Sequence, residues 1–296
     1  MKLRKITDFI GNTPLVEVTN ILQKKGVRLL LKLEGNNPGG SVKDRAAYHM
    51  ILEAIQRKEI KEGDTLVEAT SGNTGIALAL MAKILGVHMV LVMPENSTKE
   101  RVQTMQSYGA EVLLTSAEKG IEGSRDVALS LKKTKGFFML NQFENEDNWK
   151  AHYTTTGPEI WRDTDGEITH FVSAMGTTGT IMGVSTYLKE QGSDIIIVGV
   201  QPTDGSKIPG IRKWSEAYLP KIFDAKKVDT ILEVTEEQAI KMTRRLAREE
   251  GVFGGMSSGG AVHAALQLAK TLTEGIIVTV ICDRGDRYLS SGLFKS

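Results

Sequence analysis

Short apolar runs alternate with longer segments of helical period along almost the whole chain, and this alternation restricts the fold more than any other feature. The apolar runs are Arg28 to Leu33, Thr65 to Glu68, His88 to Met93, Glu111 to Thr115, His170 to Ser173, Ile195 to Val200 and Ile276 to Cys282. Between and beside them lie Lys43 to Gln56, Thr74 to Leu85, Thr98 to Tyr108, Gly123 to Lys132, Trp149 to Arg162, Thr178 to Lys189, Glu236 to Glu249 and Ser258 to Lys270, with helical spacing. Continuous apolar runs suit strands buried on both faces, and strand-helix-strand order implies right-handed crossovers. The expectation is an α/β protein with largely parallel sheets flanked by helices, whose chemistry sits at the carboxyl ends of strands.

At 296 residues the chain exceeds one ordinary domain and should form two domains or one large α/β unit, with a two-lobed enzyme the natural expectation. The polar stretch Glu144-Asn145-Glu146-Asp147-Asn148 offers a boundary, and Thr203 to Lys227 reads as a long functional or mobile loop. With 37 basic and 36 acidic side chains the net charge is +1, so there is no footprint for nucleic acid or an anionic membrane, and small partners fit better. No apolar run is long enough to span a bilayer, and the N-terminus lacks a signal-peptide core. The single Cys282 suits a reducing cytoplasm. The five histidines show no metal-ligand spacing, so no metal is expected.

Chemistry concentrates in glycine-rich loops at predicted strand-helix junctions. Asn37-Pro38-Gly39-Gly40-Ser41-Val42-Lys43 puts a lysine where a tight loop becomes a helix, either a solvated surface charge or an amine nucleophile. In Thr70-Ser71-Gly72-Asn73-Thr74-Gly75, hydroxyls, an amide and helix N-terminal N–H groups suit a carboxylate or phenolate oxygen; simple N-capping by Ser71 or Thr74 reads equally well. Met175-Gly176-Thr177-Thr178-Gly179-Thr180 has the make-up of a phosphate cup but not of a Walker A loop or a dinucleotide fingerprint; an unliganded turn is the plainer alternative. In Gly254-Gly255-Met256-Ser257-Ser258-Gly259-Gly260 either serine could cap a helix or face a ligand. Cys282-Asp283-Arg284-Gly285-Asp286-Arg287-Tyr288 closes the last strand with charges expected to pair at the surface.

Taken together with Gly11-Asn12-Thr13-Pro14-Leu15 and Ile208-Pro209-Gly210-Ile211-Arg212, these segments resemble the fold-type II pyridoxal-phosphate enzymes, and within them the B-type cysteine synthases, over nearly the whole chain. The resemblance implies a smaller, mobile substrate-binding lobe (1–12 and 38–146) and a larger cofactor-binding lobe (13–37 and 147–296). It makes Lys43 the Schiff-base lysine, sets Asn73 on the ring hydroxyl oxygen and Gly176, Thr177, Thr178, Gly179 and Thr180 on the phosphate, and faces Ser257 to the pyridine nitrogen. Thr70, Ser71, Asn73, Thr74 and Gln142 would take the amino-acid carboxylate, and closure of the smaller lobe would exclude water. A neutral hydroxyl at the pyridine nitrogen does not enforce ring protonation as a carboxylate would, which favours β-elimination over transamination or racemisation.

The activity so implied is β-replacement: O-acetyl-L-serine loses acetate to leave an α-aminoacrylate, and sulfide adds to give L-cysteine, or thiosulfate adds to give S-sulfocysteine. Arg212, next to Lys213 and Trp214, would bind the anionic donor or leaving group. A cytoplasmic homodimer is implied as well. The same contacts would serve an O-phosphoserine-dependent synthase, a cystathionine β-synthase-like enzyme or a serine/threonine dehydratase; a non-catalytic ligand-binding or partner-binding member of the fold is the alternative of another class.

Overall fold

The computed structural model describes residues 3–70 and 72–295. The chain divides into two compact units, Met1–Val42 with Trp149–Ser296, and Lys43–Asn148. Residues 3–12 and 38–42, assigned from the sequence to the smaller lobe, belong here to the larger unit. Their hydrogen bonds give the reason: Gly11 N–H donates to Asn37 Oδ1, Asn12 N–H to Glu159 Oε1 and Val42 N–H to the Cys282 carbonyl.

In the larger unit, strands β1 (Leu15–Glu17), β2 (Val27–Leu33), β6 (His170–Ala174), β7 (Ile196–Pro202), β8 (Thr230–Val234) and β9 (Gly275–Ile281) form one sheet in the order β1-β2-β9-β6-β7-β8. Every neighbouring pair is parallel except β1 with β2. Successive side chains on a strand point to opposite faces, and two apolar layers result. Leu29 and Leu31 of β2, with Ile277 and Ile281 of β9, join one cluster with Val262, Ala264 and Ala265 of helix α9 (Met256–Thr271). Leu30, Val278 and Val280 join the other, with Ile160 of α6 (Gly157–Asp163) and Ile181 and Leu188 of α7 (Gly179–Gln191). The smaller unit has a parallel sheet of β3 (Thr65–Ala69), β4 (His88–Pro94) and β5 (Glu111–Thr115), in that order. Its helices are α1 (Lys43–Gln56), α2 (Asn73–Leu85), α3 (Lys99–Ser107) and α4 (Gly120–Lys135); α1 packs on α2, and Ala128 of α4 covers Val67, Val90 and Val92.

The remaining helices are α5 (Glu146–Ala151) and α8 (Glu236–Glu249), the latter started by a capping box between Thr235 and Gln238. The single helix expected over Trp149 to Arg162 is interrupted: α5 and α6 flank a π turn, His152–Thr156. Close approach of α7 accompanies the break, because a β-carbon on Gly183 would stand 2.6 Å from His152 Cβ and 2.7 Å from Tyr153 N, and would also strike the Trp149 carbonyl. Thr203 to Lys227 is irregular apart from two short 3-10 turns. No helix among the described residues is long and apolar enough to cross a membrane.

Candidate active site

The loop before Lys43 is stitched down residue by residue. Asn37 is buried, giving its side-chain amide N–H groups to the carbonyl and carboxylate of Glu34. Gly40 turns at φ +79°, where a side chain would be strained, and its N–H returns to the Asn37 carbonyl. Arg287 donates to the Gly39 carbonyl, and Ser41 forms an antiparallel bridge with Asp283. Val42 N–H then bonds to the Cys282 carbonyl, and Lys43, half-buried, is the first residue of α1. The charged run after β9 is thus only partly a surface ion-pair segment. Arg284 and Asp286 do pair in solvent at 2.8 Å, but Asp283 is buried and accepts from Tyr288 Oη at 2.6 Å, because the glycine-rich loop needs a fixed edge to lie against.

The 176–180 loop leaves β6 and starts α7. Thr178 is its unusual residue: φ +69° without being glycine, 3 % exposed, with an Oγ1 that bonds to no described protein group. A buried hydroxyl left without a partner costs about 1–3 kcal/mol, and a non-glycine residue at positive φ adds strain, so the arrangement suits a ligand-binding turn better than a turn built for stability. Gly179 N–H is 3.4 Å from Thr177 Oγ1. Gly176 cannot carry a side chain, since its β-carbon would lie 2.6 Å from the Gly210 carbonyl. The 208–214 segment is held against this loop by Arg212 N–H to the Met175 carbonyl and Trp214 Nε1–H to the Gly176 carbonyl, both 2.8 Å. Such a donor-rich loop at a helix N-terminus fits a phosphate monoester.

The two serines opening α9 part company. Ser258 Oγ accepts from Cys282 N–H at 3.0 Å and so secures the end of β9. Ser257 is buried beside Gly210, whose β-carbon would come within 3.4 Å of its Oγ, and its hydroxyl bonds to no described protein group. Cys282 is half-buried just past β9. Arg212 lies with its guanidinium 5.2 Å from the Trp214 ring centre and pairs with no described carboxylate. Although much of its surface is exposed, desolvation lowers its pKa from the usual guanidinium value, and it stays cationic. Lys213 has its charge engaged by Asp204 and Glu233, each at 2.9 Å, so the two cations of this loop are not equivalent.

In the smaller unit, Gly72 is the N-cap of α2 and gives it no side-chain cap; the Thr74 hydroxyl, instead of capping, donates to Gln142 Oε1 at 2.8 Å. The capping alternative therefore fails for Thr74, while Ser71 lies outside the described residues. Gln142 is buried and its carbonyl accepts from Asn148 Nδ2, which leaves its side-chain N–H groups available. Thr70 is buried at the end of β3, its Oγ1 3.5 Å from Gly72 N, and Asn73 is the first residue of α2. The structure thus gathers 176–180, Ser257 and Arg212 within the larger unit, and Thr70, Asn73, Thr74 and Gln142 within the smaller. Sequence reasoning missed His152, buried and 3.3 Å from Thr180 Oγ1; its signal, a histidine inside a helix, is too common to stand out.

The chain belongs to the pyridoxal-phosphate dependent enzymes, whose family model matches residues 6–283. It is 58 % identical to cysteine synthase B of Pseudomonas aeruginosa, over 98 % of this chain and 97 % of that protein. Among solved structures, cysteine synthase of Entamoeba histolytica superposes with a TM-score of 0.94 at 38 % identity, covering 100 % of this chain and 92 % of that one. An O-ureido-L-serine synthase has the same TM-score at 34 % identity, covering 100 % and 96 %.

Proposed function

We propose that this protein replaces the acetate of O-acetyl-L-serine with an inorganic sulfur nucleophile, sulfide giving L-cysteine and thiosulfate giving S-sulfocysteine, with pyridoxal 5'-phosphate as cofactor. The observation that carries the reading is the 176–180 cup with its orphaned Thr178 hydroxyl, in a chain so similar to a cysteine synthase B. The cofactor, when bound, supplies an electron sink next to the substrate Cα. Gly176, Thr177, Thr178, Gly179 and Thr180 would hold its phosphate and Asn73 its ring oxygen. Ser257 would meet the pyridine nitrogen with a hydroxyl that enforces no ring charge.

Lys43 would hold the cofactor's aldehyde carbon at rest and, once released by the substrate amine, take the Cα proton and later return it. Acetate leaves Cβ with the bonding pair, and the sulfur nucleophile supplies the pair that forms the new C–S bond. Thr70, Ser71, Asn73, Thr74 and Gln142 would fix the amino-acid carboxylate, Gln142 through the N–H groups that Thr74 leaves available. Arg212 would attract the anionic sulfur donor. By its resemblance to cysteine synthases the chain would work as a cytoplasmic homodimer.

The test is product analysis by mass spectrometry of the purified protein given sulfide with O-acetyl-L-serine or O-phospho-L-serine, with borohydride trapping of the cofactor on Lys43. Cysteine from O-acetylserine and the label on Lys43 are expected. Turnover with O-phosphoserine alone would move the acceptor, and a colourless protein that cannot be reconstituted would sink the assignment.

A further inference from the structure

His152 lies in the π turn between α5 and α6, 1 % exposed, with a hydroxyl at each ring nitrogen: Thr156 Oγ1 at 2.9 Å from Nδ1 and Thr180 Oγ1 at 3.3 Å from Nε2. Its neighbours Thr154 and Thr155 spend their hydroxyl hydrogens on backbone carbonyls one turn back, Lys150 and Ala151. Thr156 is fully buried and has no such acceptor; among the described residues the imidazole is the only group its hydroxyl meets. Were Nδ1 protonated, Thr156 would have to accept, and its own hydrogen would be buried with nothing to receive it, at a cost of about 1–3 kcal/mol. That cost disfavours both the Nδ1–H tautomer and the imidazolium, in which both nitrogens donate. Thr156 therefore donates to Nδ1, the ring proton sits on Nε2, and Nε2–H donates to Thr180 Oγ1. Thr180 then accepts from behind, and its own hydrogen is left to point elsewhere.

We propose that His152 is a positioning residue that commits the Thr180 hydroxyl to donating into the 176–180 cup, and so helps set the site's preference for a phosphate monoester. The proposal rests on the phosphate-cup reading. A ring locked in this tautomer turns an ambivalent hydroxyl, which could accept as readily as donate, into an anion-directed donor. The π turn has a role in this, since it carries His152 and Thr156 on the segment packed against α7, the helix on which Thr180 lies.

The test compares binding of pyridoxal 5'-phosphate and of pyridoxal, which lacks the phosphate, to the full chain freed of cofactor. His152→Leu is expected to weaken the phosphate ester about tenfold and pyridoxal hardly at all, and His152→Gln, whose amide offers both an acceptor and a donor, to restore most of the loss. Equal loss for both ligands, or none, overturns the proposal. Nitrogen-15 imidazole spectra of the unsubstituted protein provide a measurement that does not depend on a variant folding: the Nε2–H tautomer is expected, and an Nδ1–H or doubly protonated ring refutes it. Thr177→Ala with Thr178→Ala separates the two ideas. If that pair leaves the preference for the phosphate ester intact, the cup reading fails and takes the proposal with it; if the pair abolishes the preference while His152→Leu preserves it, only the role of His152 is wrong.

Discussion

The backbone N–H of Val42 donates to the Cys282 carbonyl at 2.8 Å, so the residue before Lys43 is fastened to the end of an interior strand of the larger sheet. The bond uses no atom of the lysine side chain. Lys43→Ala should therefore leave the cofactor-free protein folded, with its thermal midpoint within a few degrees of the parent, while turnover falls roughly a thousandfold or more. Calorimetry and steady-state rates check both parts, and a large drop in midpoint would show that the lysine has a structural role instead.

Thr178 invites a prediction in which stability and ligand binding part. Glycine at φ +69° relieves strain of about 1 kcal/mol or more but loosens the unfolded chain by a similar amount. Thr178→Gly and Thr178→Ala both remove the orphaned hydroxyl, whose burial costs about 1–3 kcal/mol, so neither should be less stable than the parent in cofactor-free denaturant unfolding. Both should weaken pyridoxal-phosphate binding about tenfold.

How much of this was legible in the sequence differs from element to element. Helices α1 and α8 fall at their expected residues, since a long amphipathic repeat fixes type and length together. Strands β1 and β8 went unread: β1 has three residues and β8 is largely exposed, so neither shows a buried run. The π turn was invisible too, because it comes with the approach of Gly183 on a distant helix. In the candidate site, glycine and hydroxyl loops announce themselves by composition. Which of Ser257 and Ser258 is spent on Cys282 N–H, and which of Arg212 and Lys213 is already paired, depends on neighbours far away in the chain.

The unequal cations of the 208–214 loop give a test of donor selection. Arg212 has no described carboxylate partner, whereas Lys213 is held by two. Arg212→Ala should raise KM for thiosulfate several-fold to tenfold and for sulfide much less, because the larger anion has more charge to meet. Lys213→Ala should change either donor little. Steady-state kinetics with both donors decide it; unchanged kinetics for both in Arg212→Ala would refute the role.

Lys32 carries a different kind of risk. Fully buried on β2, its Nζ lies 3.0 Å from both Glu159 and Asp163 and 2.7 Å from the Thr13 carbonyl. Removing one partner of a buried ionic cluster leaves the others without their counter-charge, which costs more than the cluster contributes. Lys32→Met should destabilise the protein by about 3–5 kcal/mol in denaturant unfolding. Combining it with Glu159→Gln and Asp163→Asn should recover part of that loss, since the uncompensated charges are gone.

Glu68 gives stability a pH dependence that can be separated from catalysis. Its carboxyl is buried at the end of β3 and accepts from the N–H of Asn141, itself at φ +53°. Burial pushes its pKa up from 4.5 to about 7, against the smaller opposing pulls of the Asn141 N–H and the Arg125 charge. Below pH 4.5 the carboxyl is protonated whether the chain is folded or not, and costs nothing. Between 4.5 and about 7 the unfolded chain releases the proton while the folded one keeps it, so stability falls as pH rises; above about 7 the penalty levels off near 3 kcal/mol. Glu68→Gln keeps an oxygen to accept from Asn141 N–H but cannot ionise. The variant should match the parent at pH 4 and exceed it by up to about 3 kcal/mol at pH 8, read from urea unfolding at several pH values. A difference that does not grow with pH would mean that Glu68 titrates near its ordinary value.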